Sequence, residues 1–125
     1  MKSEITEYIP QRAPMVMIDE LVGAENSSAT TKFRISAENI FTDKGRFTEP
    51  GLIENMAQPA AAMVGYQCKV SNTPVPLGFI AAIKNWKLFS LPVVDSVIET
   101  SVRVLNNVMD VTIVEGNVSQ GDEKV

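Results

Sequence analysis

The sequence predicts an α+β domain in which antiparallel strands enclose one long apolar helix. Three observations carry this expectation. Leu52 to Tyr66 is apolar or small around almost its whole circumference, the pattern of a helix wrapped by other structure. Segments rich in alternating and β-branched residues lie before and after it. Strands grouped on both sides of one helix, rather than alternating with several, give an α+β layout with a curved antiparallel sheet around the helix.

The helix is opened by Pro50 and Gly51, and proline is favourable in a first turn because its missing N–H would have no partner there. It is too short, and too often interrupted by polar residues, to span a membrane. Before it, Ser3 to Ile9 forms one or two helical turns, with Ser3 as candidate cap and Pro10 as terminator. Gln11 to Pro14 is a turn-like connector. Met15 to Gly23 reads as a mostly buried strand, Asn26-Ser27-Ser28 as a hairpin turn, and Ala29 to Ile35 as a second strand. Ser36 to Pro50 has no period and is expected as a loop leading into the helix, a position that often hosts function.

After Tyr66 comes a polar, proline-bearing connector through Pro76. Gly78 to Phe89 is expected as a long strand, and Pro92 and Asp95 mark a turn. Ser96 to Leu105 alternates as a strand, with Asn106-Asn107 as a hairpin turn and Val108 to Ser119 as the next strand. Gln120-Gly121-Asp122 is a turn, and Glu123-Lys124-Val125 begins a last strand that is cut short. Residues 1–125 therefore read as a single domain. Its sheet has edges and one open face, which favours pairing with a second copy.

Composition narrows the function classes. A chain of 125 residues suits one domain that buries about two-thirds of its unfolded surface. Its 45% apolar and 21% charged content is ordinary for a globular protein. The net charge of −4 argues against general nucleic-acid binding. A single cysteine makes no internal disulfide, so a reducing cytoplasm is the expected compartment. No signal-peptide pattern opens the chain. No cofactor or metal is expected, since metal-ligand clusters, phosphate-binding glycine loops and nucleophile triads are all missing from the pattern. Most telling, the chain contains no histidine. Any mechanism that needs imidazole must take it from another chain.

Chemistry starts with Glu54 and Gln58, which stand four residues apart on one helix face and form its strongly polar pair. Glu54 is a candidate acid or base, since burying a charge on such a helix needs a reason. It can also be read as an acid placed in the first turn for the helix dipole. Gln58 is read more readily as a partner for loop backbone than as a substrate contact. Gly51 either offers its N–H to a substrate oxygen at the helix N-terminus or relieves packing. Pro59 deletes a helical hydrogen bond and is read as a bend that fits the sheet. Cys68 is a packing residue, with no histidine to activate it. Lys44, Arg46, Lys84 and Lys87 are either solvated charges or contacts for an acidic or phosphate-bearing partner.

These residues resemble a known family. Ile9-Pro10-Gln11-Arg12-Ala13-Pro14-Met15 with Ile18-Asp19 is similar to the Pro-His-Arg-x-Pro…Val-Asp opening of FabZ-type 3-hydroxyacyl-[acyl-carrier-protein] dehydratases. Glu54-Asn55-Met56-Ala57-Gln58 resembles their Glu-x-Met-Ala-Gln helix motif, and Gly78-Phe79-Ile80 and Pro92-Val93-x-Asp95 their later signatures. The resemblance runs from about Tyr8 to the last residue. It implies a hotdog fold, dimers, and acyl-thioester sites at the dimer interface. The short Asp43-Lys44-Gly45-Arg46-Phe47 loop looks more like the ApeP-type branch from aryl-polyene gene clusters than like the ordinary dehydratases.

The departures bear on activity. Dehydrating a 3-hydroxyacyl thioester takes a base for the α-proton and an acid for the leaving hydroxyl. The resemblance assigns these roles to a loop histidine of one subunit and the helix carboxylate of its neighbour. The carboxylate corresponds to Glu54, with Gln58, Gly51, Arg46 and Phe47 as substrate-binding candidates. In place of Gly-His-Phe stands Gly45-Arg46-Phe47, and a guanidinium cannot act as a base. Gln11 likewise replaces the histidine of the opening motif. Three readings follow. The chain is a 3-hydroxyacyl-thioester dehydratase of fatty-acid or polyene type, acting on an acyl carrier protein or coenzyme A substrate, as a homodimer or a heteromer with a histidine-bearing hotdog subunit. Alternatively, it is a non-catalytic acyl-binding or scaffolding subunit. In the third reading it is a hotdog thioesterase in which Glu54 activates water.

Overall fold

The computed structural model describes residues 5–25, 27–72, 87–108, 111–121 and 123–125. A 3₁₀ turn, Ile5–Glu7, precedes strands β1 (Glu20–Ala24) and β2 (Ser28–Arg34). A two-stranded ribbon follows, β3 (Thr42–Asp43) with β4 (Arg46–Phe47), and leads into helix α1 (Glu49–Ser71). Strands β5 (Val97–Val108), β6 (Val111–Gln120) and β7 (Glu123–Lys124) complete the described elements. Apart from the ribbon, the strands form one antiparallel sheet in the order β1-β2-β5-β6-β7. The expected α+β layout of one helix against an antiparallel sheet is what the chain adopts.

The alternation in β2 and β5 sets the core. Ala29, Thr31 and Phe33 point inward from β2 and pair in register with Val102, Thr100 and Ile98 of β5. These pairs make layers. Ala29 and Val102 join Ala62 and Met63 of α1 in one apolar cluster with Tyr8, Ile9, Ile18 and Leu21. Phe33 and Ile98 join Leu52 of α1 in a second, with Met17, Ile35, Phe47, Val118 and Val125. Between the clusters runs a polar layer. Thr31, Thr100, Asn55 and Gln58 are all completely buried. A polar layer at such a depth is tolerable only where its groups find partners.

α1 starts earlier and ends later than its apolar stretch. Thr48 precedes it in extended backbone, and its hydroxyl donates to the Phe41 carbonyl oxygen at 2.6 Å instead of capping the helix. At the other end Asn72 sits in the left-handed region (φ 56°), and its N–H meets the Cys68 and Lys69 carbonyls. Pro59 is buried inside the helix, which continues through it. Glu49 is the acid of the first turn, so Glu54 lies beyond the reach of the helix-dipole reading.

Several expected boundaries are corrected. Residues 15–19 are not strand, since β1 begins at Glu20. The reason lies in α1 and is given below. The 36–50 loop carries the β3–β4 ribbon, turned at Lys44 (φ 52°) and Gly45 (φ 78°). Paired positive φ values are those of a two-residue hairpin turn. Asn106-Asn107 does not turn the chain, because β5 runs to Val108. Of the strand expected over Gly78 to Phe89, residues 78–86 lie outside the described residues, and 87–89 have no regular structure. Ser3 and Asn26 also lie outside them.

The N-terminal turn is docked on the C-terminal half of α1. Tyr8 meets Tyr66 edge-on, with centroids 5.7 Å apart, and Lys69 pairs with Glu7 while lying 5.6 Å from the Tyr8 ring. Close approach depends on Gly65, where a Cβ would stand 1.8 Å from the Tyr8 carbonyl oxygen. In an open helix glycine to alanine gains about 1 kcal/mol. Here Gly65→Ala is expected to destabilise the protein by about 1–3 kcal/mol, because a backbone must shift. Urea denaturation reads the sign directly, and a stabilised variant would refute this packing.

Candidate active site

The polar layer explains both the missing strand and the setting of Glu54. Asn55 and Gln58, three residues apart on α1, face the chain at residues 15–17. The Gln58 Oε1 accepts from the Met17 N–H at 2.7 Å, and the Asn55 Nδ2 donates to the Met17 carbonyl oxygen at 2.8 Å. Met17 thus has both peptide groups satisfied by helix side chains instead of a strand ladder. Its sulfur also accepts from Asn39 Nδ2 at 3.3 Å. Pairing with β2 begins only at Asp19, whose N–H donates to the Lys32 carbonyl at 2.9 Å.

Gln58 completes its capacity with two further bonds. Its Nε2 donates to the Met15 carbonyl at 2.8 Å and to Glu54 Oε1 at 3.2 Å. Since Oε1 is committed to a backbone N–H, the amide can face Glu54 only with its NH₂. Asn55 Oδ1 accepts from the Thr100 hydroxyl of β5. Thr31, opposite Thr100 in register, is buried with its hydroxyl unpartnered among the described residues.

Glu54 itself is half-buried. Among the described residues no cationic side chain pairs with it. One carboxylate oxygen accepts from Gln58.

Of the sequence-predicted residues, the structure brings together Glu54 and Gln58. Gly51 lies one turn before Glu54 and is buried. A Cβ there would come within 2.5 Å of the Phe47 ring and 2.7 Å of the Phe41 Cβ, so glycine is what lets the ribbon pack on the helix start. Phe47 is wholly buried and tilts against Phe33 at 5.7 Å. Arg46 is exposed and donates to the Leu91 carbonyl at 2.8 Å, while the neighbouring Phe47 N–H reaches the Pro92 carbonyl. It therefore ties the ribbon to residues 91–93 and makes no ion pair with Glu54. Asp19 accepts from the Arg34 N–H at 2.7 Å, and partial burial holds its carboxyl above the usual carboxylate range, countered in part by that bond.

A shallow depression of about 290 Å³ beside the ribbon is lined by Ala37, Thr42, Asp43, Lys44, Gly45 and Val94, without Glu54. Sequence reasoning missed Asn55 as a site residue. Its spacing from Gln58 was visible, but its partners are 38 and 45 positions away.

Among families, the one described as ApeP-like, ApeP dehydratase, matches residues 3–124. Among solved structures, the dehydratase heterocomplex ApeI:P from Xenorhabdus doucetiae is similar, with TM-score 0.82 and 19% identity, covering 100% of this chain and 86% of that one. An uncharacterised protein from Pyrococcus horikoshii follows at TM-score 0.68 and 10% identity, over 98% and 87%. A hypothetical thioesterase from Streptococcus pneumoniae, solved with coenzyme A, gives 0.63 and 9%, over 85% and 77%. No curated protein sequence matches the chain. Among the described residues no helix is long and apolar enough to cross a membrane.

Proposed function

This chain belongs to the ApeP-like dehydratase family and has its hotdog fold, and we propose that it is one subunit of a heteromeric 3-hydroxyacyl-thioester dehydratase. Glu54 supplies one of the two proton-transfer groups, and a histidine-bearing hotdog subunit supplies the other. The observation that carries this reading is a half-buried carboxylate, held on one oxygen by Gln58, in a chain without histidine. The heteromeric assembly of the Xenorhabdus relative supports it, and the coenzyme A in the pneumococcal neighbour supports an acyl-thioester substrate.

The reaction needs both groups. The base takes the proton from C2, the C2–C3 double bond forms in conjugation with the thioester, and the C3–O bond breaks. The acid protonates the departing hydroxyl, which leaves as water. A lone carboxylate can do one transfer well. Lack of the second general acid–base group costs about 10²–10⁴ in rate. Gln58 keeps the Glu54 carboxylate in one orientation, which such a transfer requires. We place the substrate on an acyl carrier protein or coenzyme A in the cytoplasm, with Gly51 and Phe47 shaping the helix entry beside it.

Mixing tests this. The purified chain with a 3-hydroxyacyl thioester is expected to give a flat enoyl absorbance trace. Adding a histidine-bearing hotdog subunit from the same genome is expected to start turnover. Release of free thiol by the chain alone, with no enoyl product on mixing, would replace this reading by the thioesterase one.

A further inference from the structure

The polar layer links the far side of the core to Glu54. Thr100 of β5 donates to Asn55 Oδ1, Asn55 Nδ2 donates to the Met17 carbonyl, the Met17 N–H donates to Gln58 Oε1, and Gln58 Nε2 donates to Glu54 Oε1. Every link but the last is between completely buried groups. The Met17 backbone sets the polarity at both amides. Its carbonyl only accepts, so Asn55 gives it the NH₂ and turns its oxygen to Thr100, whose hydroxyl then donates. Its N–H only donates, so Gln58 gives it Oε1 and turns its NH₂ to Met15 and Glu54.

We propose that Asn55 and Thr100 are positioning residues for Glu54, acting through the Met17 backbone and Gln58 to hold the plane of its carboxylate. The placement of the relay is independent of any reaction, and its consequence for turnover rests on the dehydratase reading above. One carboxylate oxygen is then held, and the other exchanges a proton with substrate. The arrangement suits the task, since a carboxylate free to rotate about its Cγ–Cδ bond would dilute the productive geometry. It also gives the polar layer a purpose, where an apolar layer would pack without risk of unpaired groups.

The test uses the full chain with its glutamine side chains labelled with ¹⁵N, the Gln58 amide being identified by its loss in Gln58→Met. Exchange of the Gln58 NH₂ protons with solvent deuterium reports whether the amide is held. Thr100→Val, which keeps the shape and removes the hydroxyl, is expected to speed that exchange about tenfold, on the scale of one hydrogen bond. Thr100→Ser is expected to restore the slow rate. Ile98→Val, a buried neighbour on β5 in the second apolar cluster, should leave it unchanged. Wild-type exchange in Thr100→Val, or equal acceleration in Ile98→Val, overturns the relay. In the mixed complex, Thr100→Val is further expected to lower kcat with KM unchanged. A wild-type complex that fails to dehydrate would sink the dehydratase reading, while the amide exchange would still decide the relay.

Discussion

Glu54→Gln in the assembled complex is expected to lower dehydration by about 10²–10⁴, with KM little changed. That corresponds to about 3–5 kcal/mol of transition-state stabilisation. The substitution keeps the volume and an oxygen where Gln58 Nε2 now donates at 3.2 Å, so the local hydrogen bond has an acceptor in both forms. Folding is therefore expected to be intact, and thermal midpoints of the two proteins should agree closely. What is lost is the exchangeable proton, because a carboxamide neither takes one from C2 nor gives one to a leaving hydroxyl at neutral pH. Turnover equal to wild type would remove Glu54 from the chemistry, and the chain would then be a scaffold for its partner's own site.

Gln58→Met is expected to damage stability most among single changes on this helix. The side chain is wholly buried and its amide serves the Met17 N–H and the Met15 carbonyl as well as Glu54. Methionine fills the space but leaves two backbone groups without partners, each at about 1–3 kcal/mol. Together they amount to about 2–6 kcal/mol, against a total stability of about 5–15 kcal/mol for an ordinary domain. Residues 15–17 are expected to loosen from α1, and turnover to fall further than the folded fraction does, since Glu54 loses its only donor among the described residues. Urea denaturation combined with activity at a temperature where both proteins are folded separates the two effects. A loss under about 1 kcal/mol would mean that solvent or other groups satisfy the Met17 N–H and Met15 carbonyl.

The two variants probe different layers of legibility. Glu54 and Gln58 could be picked out in the sequence because they are polar residues, four apart, on a helix that is otherwise dry. The i, i+4 spacing alone puts them side by side. The motif resemblance added the family, and the family match agrees with it. The sequence favoured backbone over substrate for Gln58, as its bonds to Met17 and Met15 bear out, but it did not say which backbone groups. Its three partners include two main-chain groups more than 40 positions away.

The same division runs through the fold. Local periodicity was enough for the helix, whose apolar surface extends round most of its circumference, and for β2, β5 and β6, whose alternation matches a half-buried sheet. It was misleading at residues 15–19. Met15-Val16-Met17-Ile18 is as apolar as a buried strand, and a strand was expected. Burial demanded only that its peptide groups be satisfied, not that a neighbouring strand satisfy them. Asn55 and Gln58 did so from the helix, and the ladder starts later.

Glycines divide in the same way. Gly45 lay in the stretch expected as a loop, and it turns the ribbon there. The need for Gly51 and Gly65 came from the Phe47 ring and the Tyr8 carbonyl, groups brought against α1 only on folding. From its sequence alone, this protein has one wrapped helix, an antiparallel sheet, a carboxylate on the helix and no imidazole of its own. Only the tertiary structure decided which buried polar groups hold that carboxylate, because hydrogen-bond partners distant in the chain leave no periodic trace in it.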